Sequence, residues 1–508
     1  MSSATRGLTE ILAWLRNVAP TAQLSSDSRT IVEGDVFFAY PGDHADGRQQ
    51  IAYAIQKGAR AVIYDPEGFI WDGAWNVPHL AVDELKRNAG PLASAYYDAP
   101  DAAMFSVAVT GTNGKTSCTQ WLGSAFSRLG QPTVVVGTLG IGLFKRGTND
   151  GFTVTGYTTP EGILLQRALA KARDAGAKAV AIEASSIGLE QGRLNGMHFD
   201  VALFTNFTRD HLDYHEDMAA YEAAKVKLFD WPGLQYAVIN LDDEMGLRLV
   251  DRMKKMQPST KLIGYTLLGK TIEGVPSLHA SEIRTSNVGT TFHLESPFGT
   301  SPVKAHVVGQ FNVSNLLGIM GVLLAKGITW VEAVGAVEAL VAVPGRMQQL
   351  GGQDAPLVVI DYAHTPDALE KTLSTLRHIA QERAGQLWCV FGCGGDRDPG
   401  KRLQMGVVAQ AADHAIVTSD NPRSEDPAAI IAQIVKGMDS TNMHHLEIED
   451  RAAAILWAVK HAAKHDVILL AGKGHETYQE IKGKKLPFLD ADHASLALAT
   501  RLTKMGGM

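Results

Sequence analysis

The segment Thr110-Gly111-Thr112-Asn113-Gly114-Lys115-Thr116-Ser117 combines residue types that can hold a polyphosphate. Glycines let a turn curl until its backbone N–H groups face phosphate oxygens, and a helix N-terminus behind the turn adds a favourable dipole. Lys115 can then reach the β- and γ-phosphates, and the Thr116 hydroxyl can ligate Mg²⁺. The strict phosphate-loop pattern has glycine five residues before Gly114, where this chain has Val109. An ordinary strand-to-helix turn is the alternative. By itself the loop indicates a nucleoside triphosphate and no particular reaction. Glu183 closes a second apolar run, Ala179-Val180-Ala181-Ile182-Glu183. A carboxylate at the C-terminal end of a parallel strand faces the ligand crevice, so Glu183 is a candidate Mg²⁺ ligand. A helix-capping or solvated acid is its alternative.

These residues need elements to position them. The run 104–110 reads as a strand, and a helix is expected from about Lys115 to Leu129. Strands are expected at 133–139, 179–184, 200–205 and 236–240, with helical stretches between, which implies a mostly parallel sheet. Residues 261–308 read as strand-rich and 312–341 as two helices. Pro344-Gly345 marks a boundary. Beyond it, strands at 357–361, 387–392, 414–418 and 467–471 alternate with helices beginning near Pro366, Glu425 and Arg451. That is a second doubly wound unit, Rossmann-like, without the G-x-G-x-x-G of a dinucleotide site. The first hundred residues read as a small α/β unit with strands at 35–40 and 60–64 and a helix at 49–57. A polar, proline-containing linker near 98–104 follows. The expected domains are 1–102, 103–343 and 344–508.

A length of 508 residues fits about three domains. With 45% apolar and 20% charged residues, disorder and collagen-like order are excluded. A net charge of −7 argues against sequence-independent nucleic-acid binding. Cys118, Cys389 and Cys393 cannot form a disulfide framework and read as buried or near-site thiols in a reducing compartment. The apolar run Ile11–Leu15 stops at Arg16, too short for a signal peptide, and no run approaches a membrane span. A soluble, cytoplasmic protein is expected, with a monomer as the default.

The form T-G-T-N-G-K-T resembles the loop of the Mur ligases and the related folylpolyglutamate synthases. The resemblance continues, in family order, through Asp210-His211-Leu212-Asp213-Tyr214-His215, Gly309-Gln310-Phe311-Asn312 with Asn315, Pro344-Gly345-Arg346 and Asp361-Tyr362-Ala363-His364. It ends with Gly392-x-Gly-Gly-Asp396-Arg397-Asp398, Asp420-Asn421-Pro422-Arg423 and Gly472-Lys473-Gly474-His475-Glu476. Asp27-Ser28-Arg29 and His44-Ala45-Asp46-Gly47-Arg48 extend it into the N-terminal unit. The chain is most similar to the branch that adds the third residue of the peptidoglycan stem peptide. The resemblance implies a small N-terminal α/β domain for a UDP-substrate, a central P-loop ATPase domain with a parallel sheet, and a C-terminal Rossmann-like domain for an amino acid.

The implied reaction is ATP-dependent amide formation through an acyl phosphate, joining meso-diaminopimelate to the D-Glu carboxylate of UDP-MurNAc-L-Ala-D-Glu with Mg²⁺. The resemblance implies His211 as a second-metal ligand and Lys225 as a carbamate, which turns a cation into an anionic oxygen ligand. It implies Asn315, Arg346, Asp361 and His364 at the adenine and ribose end. Ser26, Ser28, Asp43, His44 and Ala45 would contact the UDP part. Tyr157, Thr158, Thr159, Ser185, Gln191 and Arg193 would contact the muramoyl-dipeptide. Tyr157 stands where relatives carry Asn, and Ile187 where many carry His. Arg397, Asp420, Asn421, Pro422, Arg423, Gly472 and Glu476 would hold diaminopimelate.

Arg423 discriminates between amino acids on chemical grounds. Its guanidinium fork matches the second carboxylate of diaminopimelate, which L-lysine lacks. A salt bridge from Arg423 to nearby Glu425 or Asp426 is the alternative. The competing functions are an L-lysine-adding ligase of the same branch, a folylpolyglutamate-synthase-like ligase, and a nucleotide-dependent scaffold without ligation chemistry. About 100 residues before the phosphate loop disfavour the second.

Overall fold

Strand Val36–Ala39 buries all four of its side chains, so it requires cover on both faces. In the computed structural model, which describes residues 7–42, 45–286, 288–438 and 444–505, it has that cover. It lies in a four-stranded parallel sheet with Leu24–Ser25, Ala61–Tyr64 and His79–Ala81. Val36 and Phe38 face helices Leu8–Val18 and Leu85–Tyr96, and Phe37 faces helix Ile51–Gln56. The period of two along the strand divides its side chains between the two layers.

The central sheet has eleven strands. Near its middle, strand Phe105–Thr110 pairs in parallel with Val201–Phe204 on one side and Ala179–Glu183 on the other. Val107 and Val109 pack under helices Lys115–Arg128 and Gln310–Ala325, while Ala108 faces the layer of helices Gly162–Asp174 and Glu244–Met256. The chain leaves Phe105–Thr110 toward one edge and later returns to its other side. Its C-terminal end is therefore a topological switch point, where such sheets open a crevice. Both edges turn antiparallel, through Gly140–Lys145 on one and the meander Ser277–Ala305 on the other.

The third sheet has the order Gln348–Gly351, Leu357–Asp361, Val467–Ala471, Leu387–Phe391, His414–Val417, His444–Glu447. All its pairings are parallel except that of Gln348–Gly351. Helix Pro366–Glu382 starts at the expected proline, with Thr365 accepting from Ala368 N–H as its cap. The helix expected near Glu425 begins at Pro427, because Asp426 is the cap. A two-stranded hairpin, Tyr478–Ile481 with Lys484–Pro487, is an element beyond those expected. The three cysteines are buried and free. Among the described residues no helix is long and apolar enough to cross a membrane.

Two ionic contacts tie these layers. Arg451 and Asp490 are fully buried, bonded at 2.8 and 2.7 Å, with Arg451 also donating to the carbonyl of Ala471 at 2.9 Å. Removing one partner leaves an uncompensated buried charge. Asp490→Ala should lower stability by ~3–5 kcal/mol in denaturant unfolding. His198 bridges the linker turn to the central sheet, with Nδ1 2.8 Å from Asp101 and Nε2 3.6 Å from Asp200. Hydrogen bonding to Asp101, then to Asp200, raises its pKa from 6.5 to about 9. Its contribution is complete below pH 6.5 and is lost as the pH rises toward about 9. The unfolding midpoint should decline across that window, and His198→Gln should flatten the decline.

Candidate active site

The phosphate loop closes the switch-point crevice. Gly111 and Gly114 adopt φ of 145° and 90°, conformations that favour glycine. A Cβ on Gly114 would stand 2.7 Å from Asn315 Oδ1. The loop is fastened to the end of the neighbouring strand: Thr112 N–H donates to Asn206 O at 2.8 Å, Asn113 N–H to Asn206 Oδ1 at 2.9 Å, and Thr205 Oγ1 to Asn113 O at 2.6 Å. Lys115 folds over it, its Nζ donating to the carbonyls of Gly111 and Thr112 at 2.8 and 2.9 Å. Ser117 is buried in the first turn of the helix behind the loop.

Thr116 and Glu183 meet, the hydroxyl donating to Glu183 Oε2 at 3.1 Å. Thr138, a residue the sequence reading passed over, donates its N–H to Oε1 at 2.9 Å and its hydroxyl to Oε2 at 3.1 Å. Burial pushes the Glu183 carboxyl upward, against the opposing charge of Lys115. Arg346 reaches the same place from beyond the central unit: its Nη2 donates to Thr116 Oγ1 at 3.1 Å, and its guanidinium lies 4.5 Å from the Tyr362 ring centre.

Lys225 is buried, although helix Met218–Val226 reads as a surface helix around it. Its Nζ donates to the carbonyl of Gly111 at 2.9 Å and lies over the Tyr221 ring. Burial, then the nearby Lys115 charge, holds its amine well below the ordinary lysine range. Buried oxygen atoms of a carboxylate and a hydroxyl suit a hard cation, so Glu183 and Thr116 fit Mg²⁺. His211 has a φ of 54° and lies 3.5 Å from Asp210, on the cleft side of the same region. Burial, with Lys115 and Lys225 adding to it, lowers its pKa to about 4, so it is neutral at pH 7.

The C-terminal unit faces this centre across a cleft of ≈ 150 Å³. His364 lies 3.8 Å from Asp210, with its Nδ1 2.8 Å from Tyr362 O. Asp361 is buried and accepts from Met347 N–H at 2.8 Å. Arg397 donates to Asp213 at 2.9 Å across the cleft. Arg423, also at positive φ, donates to Gly395 O at 2.6 Å. Its acidic neighbour is Glu480 at 3.6 Å, while Glu425 pairs with Arg402, so the local salt bridge weighed from sequence does not form. Asn421 and Lys473 both donate to Glu476 Oε2 at 2.8 Å. Burial, then Asp420, raises the Glu476 carboxyl. Asp420 packs against Gly472, and the Pro422 backbone against Gly395.

The residues of the first two units that the sequence suggests for the UDP-substrate also lie near one another. Thr159 Oγ1 donates to Glu183 O at 2.7 Å and lies 2.8 Å from Ser185 Oγ. Thr158 Oγ1 is 3.1 Å from Thr138 Oγ1. Arg193 donates to Thr159 O at 2.9 Å and to Gln191 Oε1 at 2.8 Å, and stacks 4.9 Å from the Tyr157 ring centre. Tyr157 thus supplies an aromatic face where an amide was expected. Ile187 is half-buried beside Ser186, whose Oγ lies 2.9 Å from His215 Nε2. Ser26 hydrogen-bonds Tyr40, which donates to Glu161 at 2.7 Å and so joins the N-terminal sheet to the central unit. Ser28 is buried in the turn capped by Asp27, and Ala45 O accepts from Gly42 N–H at 2.8 Å. Asp43 and His44 lie outside the described residues.

Three family profiles match in order: the Mur ligase family catalytic domain at residues 21–97, the Mur ligase middle domain at 109–323, and the Mur ligase glutamate ligase domain at 345–474. The chain belongs to the Mur ligase family. It is 67% identical to a UDP-N-acetylmuramoyl-L-alanyl-D-glutamate–2,6-diaminopimelate ligase of Janthinobacterium sp., over 98% of each chain. A ligase of the same name from Ralstonia nicotianae is 50% identical over 97% of this chain and 96% of its own. A solved structure of an enzyme of that name superposes with a TM-score of 0.65 at 36% identity, covering 94% of this chain and 95% of that one. The three sheets correspond to the architecture expected of a Mur ligase.

The phosphate loop of this Mur ligase offers a direct test. Gly114→Ala adds a Cβ against Asn315 at φ 90°, a strain of about 1–3 kcal/mol that should weaken ATP binding roughly tenfold or more by calorimetry. Gly130, also at positive φ but facing open space, is the control; Gly130→Ala should leave ATP binding unchanged.

Proposed function

We propose that this chain joins meso-diaminopimelate to the D-Glu carboxylate of UDP-MurNAc-L-Ala-D-Glu at the expense of ATP, in cytoplasmic peptidoglycan precursor synthesis. The observation that supports the choice of amino acid is that two guanidinium groups of the C-terminal unit, Arg397 and Arg423, line the cleft facing the segment 209–213. A substrate with two carboxylates matches two such forks. L-Lysine would leave one of them unpaired in a partly desolvated site, a cost on the order of 10²–10⁴ in selectivity.

The chemistry divides into two transfers. A D-Glu carboxylate oxygen attacks the γ-phosphorus of ATP, and ADP leaves with the cleaved bond's electrons. The amine of diaminopimelate then attacks the acyl carbon, loses a proton and expels inorganic phosphate. Lys115 would neutralise charge that builds on the transferring phosphoryl group, and the contact of Arg346 with Thr116 supports the same role for Arg346 in place of the adenine and ribose end expected from sequence. Thr116 and Glu183 would hold Mg²⁺, which when bound neutralises phosphate charge and orients the oxygens. His211, neutral at pH 7, suits a second ligand position.

Lys225 fits the carbamate reading because burial disfavours the charged form of its amine, and the neutral amine is the form that adds CO₂. The added group would exchange a buried cation for an anion beside Lys115. Isotope-labelled bicarbonate should give a carbamate resonance that Lys225→Ala lacks. The protein is read as a monomer acting on small molecules alone.

The primary experiment is phosphate release from ATP with UDP-MurNAc-L-Ala-D-Glu, comparing meso-diaminopimelate with L-lysine. Release with diaminopimelate alone is expected. Release with lysine keeps the ligase and overturns the pocket assignment; release with neither overturns the function. Arg423→Ala should lose diaminopimelate use while retaining ATP binding.

A further inference from the structure

Arg423 cannot hold its own position. Its backbone is in the left-handed region at φ 52°, which costs a non-glycine residue of order 1 kcal/mol and persists only when its surroundings enforce it. The enforcing element is the hairpin Tyr478–Pro487. Arg423 N–H donates to Glu480 O at 2.9 Å, and Lys482 N–H returns to Arg423 O at 2.7 Å. Glu480 N–H donates to Asn421 Oδ1 at 2.9 Å, and Gln479 Nε2 to Asp420 O at 2.8 Å. The strand Tyr478–Ile481 is therefore stitched along the whole Asp420–Arg423 turn.

The side chain is held as well. Nη1 donates to Gly395 O at 2.6 Å, and Nε lies 3.6 Å from Glu480 Oε2. Arg423 lines the cleft, whereas Glu480 does not. Glu480 thus approaches the guanidinium from its Nε edge, behind the cleft wall, and leaves Nη2 for a ligand. An acid in that place orients the fork without competing for a bound carboxylate.

We infer that Glu480, carried on the hairpin 478–487, is a positioning residue that aims the Arg423 guanidinium at the second carboxylate of the incoming amino acid. The inference rests on the diaminopimelate reading above. It gives the hairpin a role in amino-acid selectivity that the phosphate-loop and metal-binding residues do not share.

The test is steady-state kinetics of Glu480→Gln, which keeps the size of the side chain and removes its charge. For a partly exposed ion pair, the KM for meso-diaminopimelate should rise about three- to fivefold. The kcat and the KM values for ATP and UDP-MurNAc-L-Ala-D-Glu should stay within about twofold. Glu480→Asp, which keeps the charge on a shorter stem, should fall between wild type and Glu480→Gln. An unchanged KM for diaminopimelate in Glu480→Gln overturns the assignment. So does a rise in all three KM values together, or a fall in kcat alone, because either is a general structural defect. A wild-type enzyme that releases no phosphate with diaminopimelate overturns the underlying function and this inference with it. A wild-type enzyme that does so, beside an unaltered Glu480→Gln, overturns this inference alone.

Discussion

An excess of buried positive charge at the end of the central sheet governs the arrangement around it. Lys115, Lys225 and Arg346 converge there, opposed by the carboxylates of Glu183 and Asp210. Burial itself disfavours both ammonium groups, and the neighbouring cations add to that cost, so the amines of Lys115 and Lys225 are depressed. Backbone carbonyls of the phosphate loop take up the two ammonium groups, and the Thr116 hydroxyl takes up the guanidinium. A polyphosphate relieves the imbalance better than any of these. The site is thus organised for an anion, at a local cost in stability.

The scaffold keeps this centre in place by joining strand ends that are distant in sequence. The phosphate loop at residues 111–114 is bonded to Thr205 and Asn206, and Glu183 to Thr116 and Thr138. These contacts sit at the C-terminal ends of four adjacent parallel strands, so the register of the sheet sets their distances. In the third sheet, Asp361 closes strand Leu357–Asp361, and Gly472 follows Val467–Ala471 and donates to Asp361 O. Both sheets therefore present the ends of their strands to one another across the cleft.

Much of this was legible in residue patterns because buried parallel strands are continuous apolar runs. Strands 357–361 and 467–471 and the start of helix Pro366–Glu382 fall at their expected residues. The elements that escaped are polar ones. Gln348–Gly351 and His444–Glu447 are sheet edges with little apolar signal, and the hairpin ending in Lys484–Pro487 has an exposed second strand. Lys225 reads locally as a solvated helix lysine, since its cover comes from a loop more than a hundred residues earlier. Arg423 has acids two and three residues on, yet its left-handed backbone turns it away from them. Local spacing cannot report either contact, because both depend on pairing between distant segments.

The ion pairs that cross the cleft differ in kind from the buried pair Arg451–Asp490. Arg397–Asp213 and Arg209–Asp398 join the segment after strand Val201–Phe204 to the loop after Leu387–Phe391, and both have substantially exposed partners. Exposed pairs contribute at most about 1 kcal/mol each and are readily exchanged. If Arg397 takes a substrate carboxylate as proposed, it gives up Asp213 with little loss, because one carboxylate replaces another on the same fork. The same exchange frees Asp213 on the segment that carries His211. On that reading the amino-acid cleft borders the phosphate site through Asp213 and His211, two residues of one short segment.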